Sequence, residues 1–126
     1  MKKLHHVGYV VENIDLFKTT FPPMNTILSV YDQVQKAKIE LLASCSGSYI
    51  ELIEPTIPSA FTWNYLKKNG QGLHHICYEG YSQLELEGLF FEKKMIKLRG
   101  PMPAVLFGKS VIFAMTRAKC IVEFIL

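Results

Sequence analysis

Cysteine is scarce and poorly placed for cross-linking. Cys45, Cys77 and Cys120 are odd in number, widely spaced and form no C-x-x-C pair, so a disulfide framework is not expected and a reducing, cytoplasmic setting is. Long apolar runs are absent too. None approaches the ~18 residues that a membrane-spanning helix needs, and Glu12 cuts short the stretch that follows Met1-Lys2-Lys3, so no signal peptide is expected. Basic residues exceed acidic ones only by 14 to 11, and beyond the N-terminus only Lys67-Lys68 and Lys93-Lys94 are adjacent. That is the pattern of solvated faces and excludes a nucleic-acid-binding stripe, while a small acidic substrate is compatible with it. What is present is ordinary globular material. The 126 residues are 49% apolar and 20% charged, enough for one domain over 1–126 with a sizeable core that neither half could bury alone.

Histidine occurs four times, and all four copies lie in one repeated tetrapeptide. Leu4-His5-His6-Val7 returns as Leu73-His74-His75-Ile76, about half the chain further on. A second echo has nearly the same offset: Tyr49-Ile50-Glu51-Leu52-Ile53 resembles Ile121-Val122-Glu123-Phe124-Ile125. Such self-similarity points to a duplicated unit. Each half places a histidine strand ahead of an apolar strand that carries one glutamate.

The pattern between these landmarks is the same in both halves. Leu4 to Val11 alternates as a strand. Asn13 can cap a helix bearing Ile14, Phe17 and Phe21, which Pro22-Pro23 stops. Strands are expected over 27–31, 33–43 and 49–54, with a turn at Ser46-Gly47-Ser48. Ser59 can cap a connector helix through Lys68, ended by Asn69-Gly70. In the second half, Leu73 to Tyr78 is a strand, Ser82 and Glu85 have capping-box spacing, and Leu86, Leu89 and Phe90 form a helical stripe. A short strand over 96–99, a loop from Gly100 to about Lys109, and strands over 111–115 and 120–126 complete it. The expected fold is α+β, two paired β-α-β-β-β modules (about 4–55 and 72–126, joined by a connector helix at about 58–69) forming a cup-shaped half-barrel.

Alternation places Glu51 and Glu123 among apolar neighbours. A lone buried carboxylate is expensive, and a divalent cation removes that cost. Two imidazoles and two carboxylates suit nickel, cobalt, zinc, iron or manganese. Each His-His pair has one member on each face of its strand, and periodicity does not choose between them.

These residues resemble the vicinal oxygen chelate superfamily, which has the glyoxalase, bleomycin-resistance and extradiol-dioxygenase fold, over essentially the whole chain. The resemblance implies that the ligands are the histidine before the Val7-Gly8 step, His6, and its counterpart His75, together with Glu51 and Glu123. Glu51-Leu52-Ile53-Glu54-Pro55, Pro58-Ser59 and the stretch from Leu66 to Ile76 are similar to the middle region of the methylmalonyl-CoA epimerases. Some positions depart from that subfamily. The turn Met115-Thr116-Arg117-Ala118-Lys119 lacks its His-Pro, and its third-strand acid/base glutamate falls near Ile39, with Glu40 next to it on the opposite face. Val10 and Pro55 stand where glutathione-type glyoxalases have arginine and asparagine, which disfavours a glutathione thiohemiacetal. Glu51 counts against the fosfomycin-resistance and extradiol enzymes, whose ligands are two histidines and one glutamate.

The resemblance implies a metal-dependent isomerase or lyase that removes a proton next to a chelated carbonyl, on a small-molecule substrate such as an acyl-CoA. Glu123 is the first candidate base and Glu40 the second. The alternative is a cup that sequesters a small hydrophobic ligand, or a biosynthetic accessory protein, with Trp63, Tyr49 and Phe107 as walls. A homodimer is expected, because strand edges need covering and the resemblance implies one.

Overall fold

A computed structural model describes every residue except Ser46, so that part of the expected turn at Ser46-Gly47-Ser48 lies outside the described residues. The described elements are β1 (Lys3–Val10), α1 (Ile14–Thr20), β2 (Asn25–Asp32), β3 (Ala37–Ala43), β4 (Tyr49–Pro55), α2 (Trp63–Asn69), β5 (Gly72–Glu79), α3 (Gln83–Phe91), β6 (Met95–Ala104), β7 (Lys109–Thr116) and β8 (Ile121–Ile125). None of the described helices is long and apolar enough to cross a membrane. The chain divides into two compact units, His6–His74 and Met1–His5 with His75–Leu126.

In the unit His6–His74 the strand order is β2-β3-β4-β1. β4 is parallel to β1 and antiparallel to β3. Strand alternation sends Leu42 and Leu52 to the face that packs against Val11 and Ile14, with Phe17 and Met24 closing the cluster. The opposite face carries Ile39, Leu41, Glu51 and Ile53, all buried. α1 starts where expected, since Asn13 Oδ1 accepts from Leu16 N at 2.8 Å. Glu54 Oε1 accepts from Ile14 N at 2.8 Å, so two of the first-turn donors are satisfied by side chains.

Two expectations fail here. β3 starts at Ala37, not at residue 33, because the Asp32 carboxylate closes a turn: Oδ1 accepts from Val34 N (2.8 Å) and Gln35 N (3.0 Å), and Lys36 adopts a φ of 54°. A local side-chain bond of this kind competes with the ladder. The connector helix is also shorter than expected. It starts at Trp63 after Thr62, and Ser59 instead accepts from Lys36 Nζ at 3.1 Å. Its end at Asn69 and Gly70 is as expected, with Gly70 at a φ of 76°.

In the second unit the order is β5-β8-β7-β6. Leu86 of α3 packs on Ile112, Ala114, Val122 and Phe124, with Leu89 and Phe90 at the margin. The capping box forms in full: Ser82 Oγ accepts from Glu85 N and Glu85 Oε1 accepts from Ser82 N, each at 3.1 Å. Lys2 Nζ, 2.6 Å from Glu85 Oε2, draws that carboxyl below its usual range through a hydrogen bond. Ser82→Ala removes the cap and is expected to cost about 1 kcal/mol, read as a fall of about 4 °C in thermal unfolding temperature.

The first part of the expected loop over residues 100–109 is strand instead, and only residues 105–108 remain a turn. β6 runs on to Ala104 and re-pairs with β7 after a register shift, Met102 facing Val111 and Ala104 facing Lys109. Gly100 makes the shift feasible. It has a φ of 99°, and a Cβ there would lie 2.5 Å from the Val111 carbonyl oxygen. Gly100→Ala is therefore expected to destabilise the protein by about 2 kcal/mol or more, measured as a lower urea midpoint with an unchanged slope.

Candidate functional site

Each unit builds the same small constellation. In His6–His74, the parallel ladder sets Gly8 opposite Glu51. His6, two residues before Gly8, therefore shares the face of Glu51, and its Nε2 lies 3.6 Å from Glu51 Oε1. On the other side of Glu51 the antiparallel ladder places Leu41. In the second unit, Cys77 stands opposite Glu123 and Phe113 flanks it across β7. His75, two residues before Cys77, has its Nε2 3.2 Å from Glu123 Oε1. Its ring sits edge-on to Phe113 with centroids 5.4 Å apart. Relative exposures are 1% for His6, 3% for Glu51, 2% for His75 and 2% for Glu123. Gly8 and Cys77, both small, stand next to the glutamates.

The second member of each histidine pair turns elsewhere. His74 is buried edge-on against Tyr65 of α2, with centroids 4.7 Å apart, and against Phe61. His5 stacks edge-on to Phe107, in the turn between β6 and β7, at 5.0 Å. Within each unit it is therefore His6 that lies beside Glu51 and His75 that lies beside Glu123.

Glu40 is not brought to this face. It is paired with Leu52, not with Glu51, in the β3–β4 ladder, so it points to the α1 side. There it accepts from Lys18 Nζ at 2.8 Å and from Ser29 Oγ at 3.3 Å. The three aromatic positions each have a neighbour of their own. Tyr49 is the ladder partner of His6, Trp63 opens α2 with Lys67 Nζ 4.8 Å above its ring, and Phe107 packs on His5. The buried turn of Asp32 and Gln35 is a feature not expected above, and its signal in the sequence is an aspartate directly after a β-branched and an aromatic residue.

The donor chemistry fits a divalent ion of the manganese-to-zinc series, since each pair offers one imidazole nitrogen and one carboxylate oxygen. Two atoms bound to one such ion at about 2.0–2.2 Å are separated by roughly 3 to 3.5 Å. The separations of 3.6 Å and 3.2 Å are close to that span.

The α+β modules, each with its buried His–Glu pair, define a recognisable class of fold. A sequence profile of the Glyoxalase/Bleomycin resistance protein/Dioxygenase superfamily matches residues 5–86, more than half of the chain. The chain belongs to that superfamily. It is 28% identical over 122 residues to the mitochondrial methylmalonyl-CoA epimerase of Dictyostelium discoideum, covering 88% of this chain and 69% of that one. The uncharacterized protein YqjC of Bacillus subtilis (strain 168) is 30% identical over 80 residues, which span 62% of this chain and 57% of that protein. Among solved structures, a hypothetical protein of Bacillus halodurans C-125 superposes with a TM-score of 0.83 at 24% identity, covering 98% of this chain and 93% of that one. A Streptomyces coelicolor methylmalonyl-CoA epimerase in complex with 2-nitronate-propionyl-CoA superposes with a TM-score of 0.79 at 20% identity, covering 98% and 95%. These superpositions establish the eight-strand, three-helix fold of the superfamily for this chain.

Proposed function

We propose that this protein is a divalent-metal-dependent isomerase or lyase that moves the proton next to an acyl carbonyl, and that its two His–Glu pairs close on one metal ion. The observation that carries this reading is the repetition: each half builds a buried histidine and a buried carboxylate at the same ladder positions. A buried carboxylate next to an imidazole is costly to keep in one half. Keeping it in both is accounted for by a shared ligand role.

His6, Glu51, His75 and Glu123 would hold the ion. When bound it would polarise the carbonyl of the substrate and so acidify the neighbouring C–H. Glu123 accepts the proton from carbon and returns it, the role for which its burial in an apolar strand suits it. Within each unit an apolar ladder partner, Leu41 beside Glu51 and Phe113 beside Glu123, keeps water from the carboxylate. An acyl-CoA is the favoured substrate class, because the epimerase of Dictyostelium is a relative over 88% of this chain and the Streptomyces epimerase of the same fold was solved with an acyl-CoA analogue. Glu40, committed to Lys18 on the α1 face, is the less supported second acid/base.

The test is elemental analysis of protein purified without a metal-affinity tag, followed by solvent deuterium exchange into methylmalonyl-CoA and other acyl-CoA esters. About one ion per chain and exchange at the α-carbon support the reading. A metal-free protein that binds an aromatic ligand tightly would replace it with the sequestering alternative. We also expect a homodimer, since β2 and β6 end their ladders and an uncovered edge invites pairing. Light scattering that gives about twice the chain mass of 14.4 kDa checks this.

A further inference from the structure

The second unit has a cleft that the proposed chemistry does not use. It wraps the end of the β6–β7 ladder below the C-terminal end of α3 and has a volume of about 420 Å³, within the usual range for small-molecule sites. Its floor is apolar. Phe90 and Met95 reach it from the cluster around Leu86, and Ile96 and Met115, partners across the ladder, reach it from the other face. Its rim is cationic: Lys93, Lys97 and Arg117 line it, and among the described residues no carboxylate does.

The rim is also held in place. Arg117 Nε donates to the Lys93 carbonyl oxygen at 3.0 Å, tying the β7–β8 turn to the exit of α3. Lys93 takes a φ of 59° and its backbone N–H donates to Phe90 O at 3.0 Å, which fixes where its side chain leaves the helix. Among the described residues none of the three cations has an ion-pair partner, whereas the adjacent Lys94 is paired with Glu92 at 3.2 Å. Three unneutralised cations around an apolar floor select a ligand with one anionic head and a hydrocarbon body.

We propose that this cleft binds a small amphiphilic anion, of the class of a medium-chain alkyl carboxylate. Such a ligand places its chain on Met95 and Met115, whose flexible thioethers adapt to an irregular surface, and its carboxylate among Lys93, Lys97 and Arg117. Concavity favours this occupant over an anionic membrane, which would need a convex or flat apolar face.

Decanoate is the probe, titrated into the full chain by calorimetry and followed by amide shifts in two-dimensional NMR. Saturable, low-millimolar or tighter binding is expected, of the order that ligand size allows, with shifts at residues 90–97 and 115–117. 1-Decanol, matched in chain length but uncharged, should bind at least about tenfold more weakly. Lys97→Glu, a change at an exposed side chain, should weaken decanoate about tenfold and leave the unfolding temperature unchanged. Equal binding of decanol and decanoate, shifts spread over the rest of the chain, or no effect of Lys97→Glu overturns the proposal. So does sedimentation with phosphatidylglycerol vesicles in the absence of any decanoate binding.

Discussion

His75→Ala is expected to strip the divalent ion and the activity together. The imidazole is 2% exposed and its Nε2 lies 3.2 Å from Glu123 Oε1, and alanine offers no donor atom in its place. Loss of a group that only orients a ligand lowers metal affinity by about 10–100-fold, and loss of a ligand should exceed that. Metal content in dialysed protein should fall from about one ion per chain to less than about a tenth. His6→Ala should behave alike, because the two halves place these residues identically. The adjacent His74→Ala is the control. Its ring packs against Tyr65 and Phe61, so it should lower stability by about 1–3 kcal/mol and leave the metal in place. Equal metal loss in His74→Ala and His75→Ala would mean that the histidine strand acts through folding alone.

The repeats of the sequence carried most of this architecture. Two tetrapeptides with histidine and two pentapeptides with glutamate were enough to place β1, β4, β5 and β8, because strand alternation turns residue spacing into facing. The cap at Asn13 and the box at Ser82 were legible for a related reason, since both depend on bonds within one turn of chain. What could not be read depends on contacts between distant segments. The packing of His5 on Phe107 and of His74 on Tyr65 is of this kind. The extension of β6 through Gly100-Pro101 rests on pairing with Val111 and Ser110, which a Gly-Pro-x-Pro string conceals because that composition signals a loop. The late start of β3 was hidden differently. The alternation of residues 33–43 fits a strand, but the Asp32 carboxylate offers the backbone of Val34 and Gln35 a competing partner.

Glu40 illustrates the limit of neighbour-based reasoning. Glu40 and Leu41 are adjacent in sequence, yet only Leu41 shares the face of Glu51, and Glu40 answers to Lys18 and Ser29. A one-residue offset along a strand moves a side chain to the other side of the sheet. Were a glutamate at position 39, it would lie on the face of Glu51, and Ile39→Glu is the substitution that would place a second carboxylate there.

Glu123→Gln should separate proton transfer from metal retention. The amide keeps the size of the carboxylate between Cys77 and Phe113 and keeps one oxygen able to bind an ion, while His6, Glu51 and His75 remain as ligands. It cannot take a proton from carbon. Removal of a general base costs about 10²–10⁴-fold, so solvent exchange at the α-carbon of a responsive acyl-CoA should fall by about 10³-fold. Metal content should drop by no more than about half, a far smaller change than His75→Ala produces. Glu40→Gln is the matched comparison. It disturbs the partly buried Lys18 bond on the α1 face and should leave exchange within about threefold of the parent, since Glu40 lies on the face opposite Glu51. If the two glutamine variants exchange protons equally well, Glu123 only holds the metal, and the proton is taken by a group outside the four-residue set.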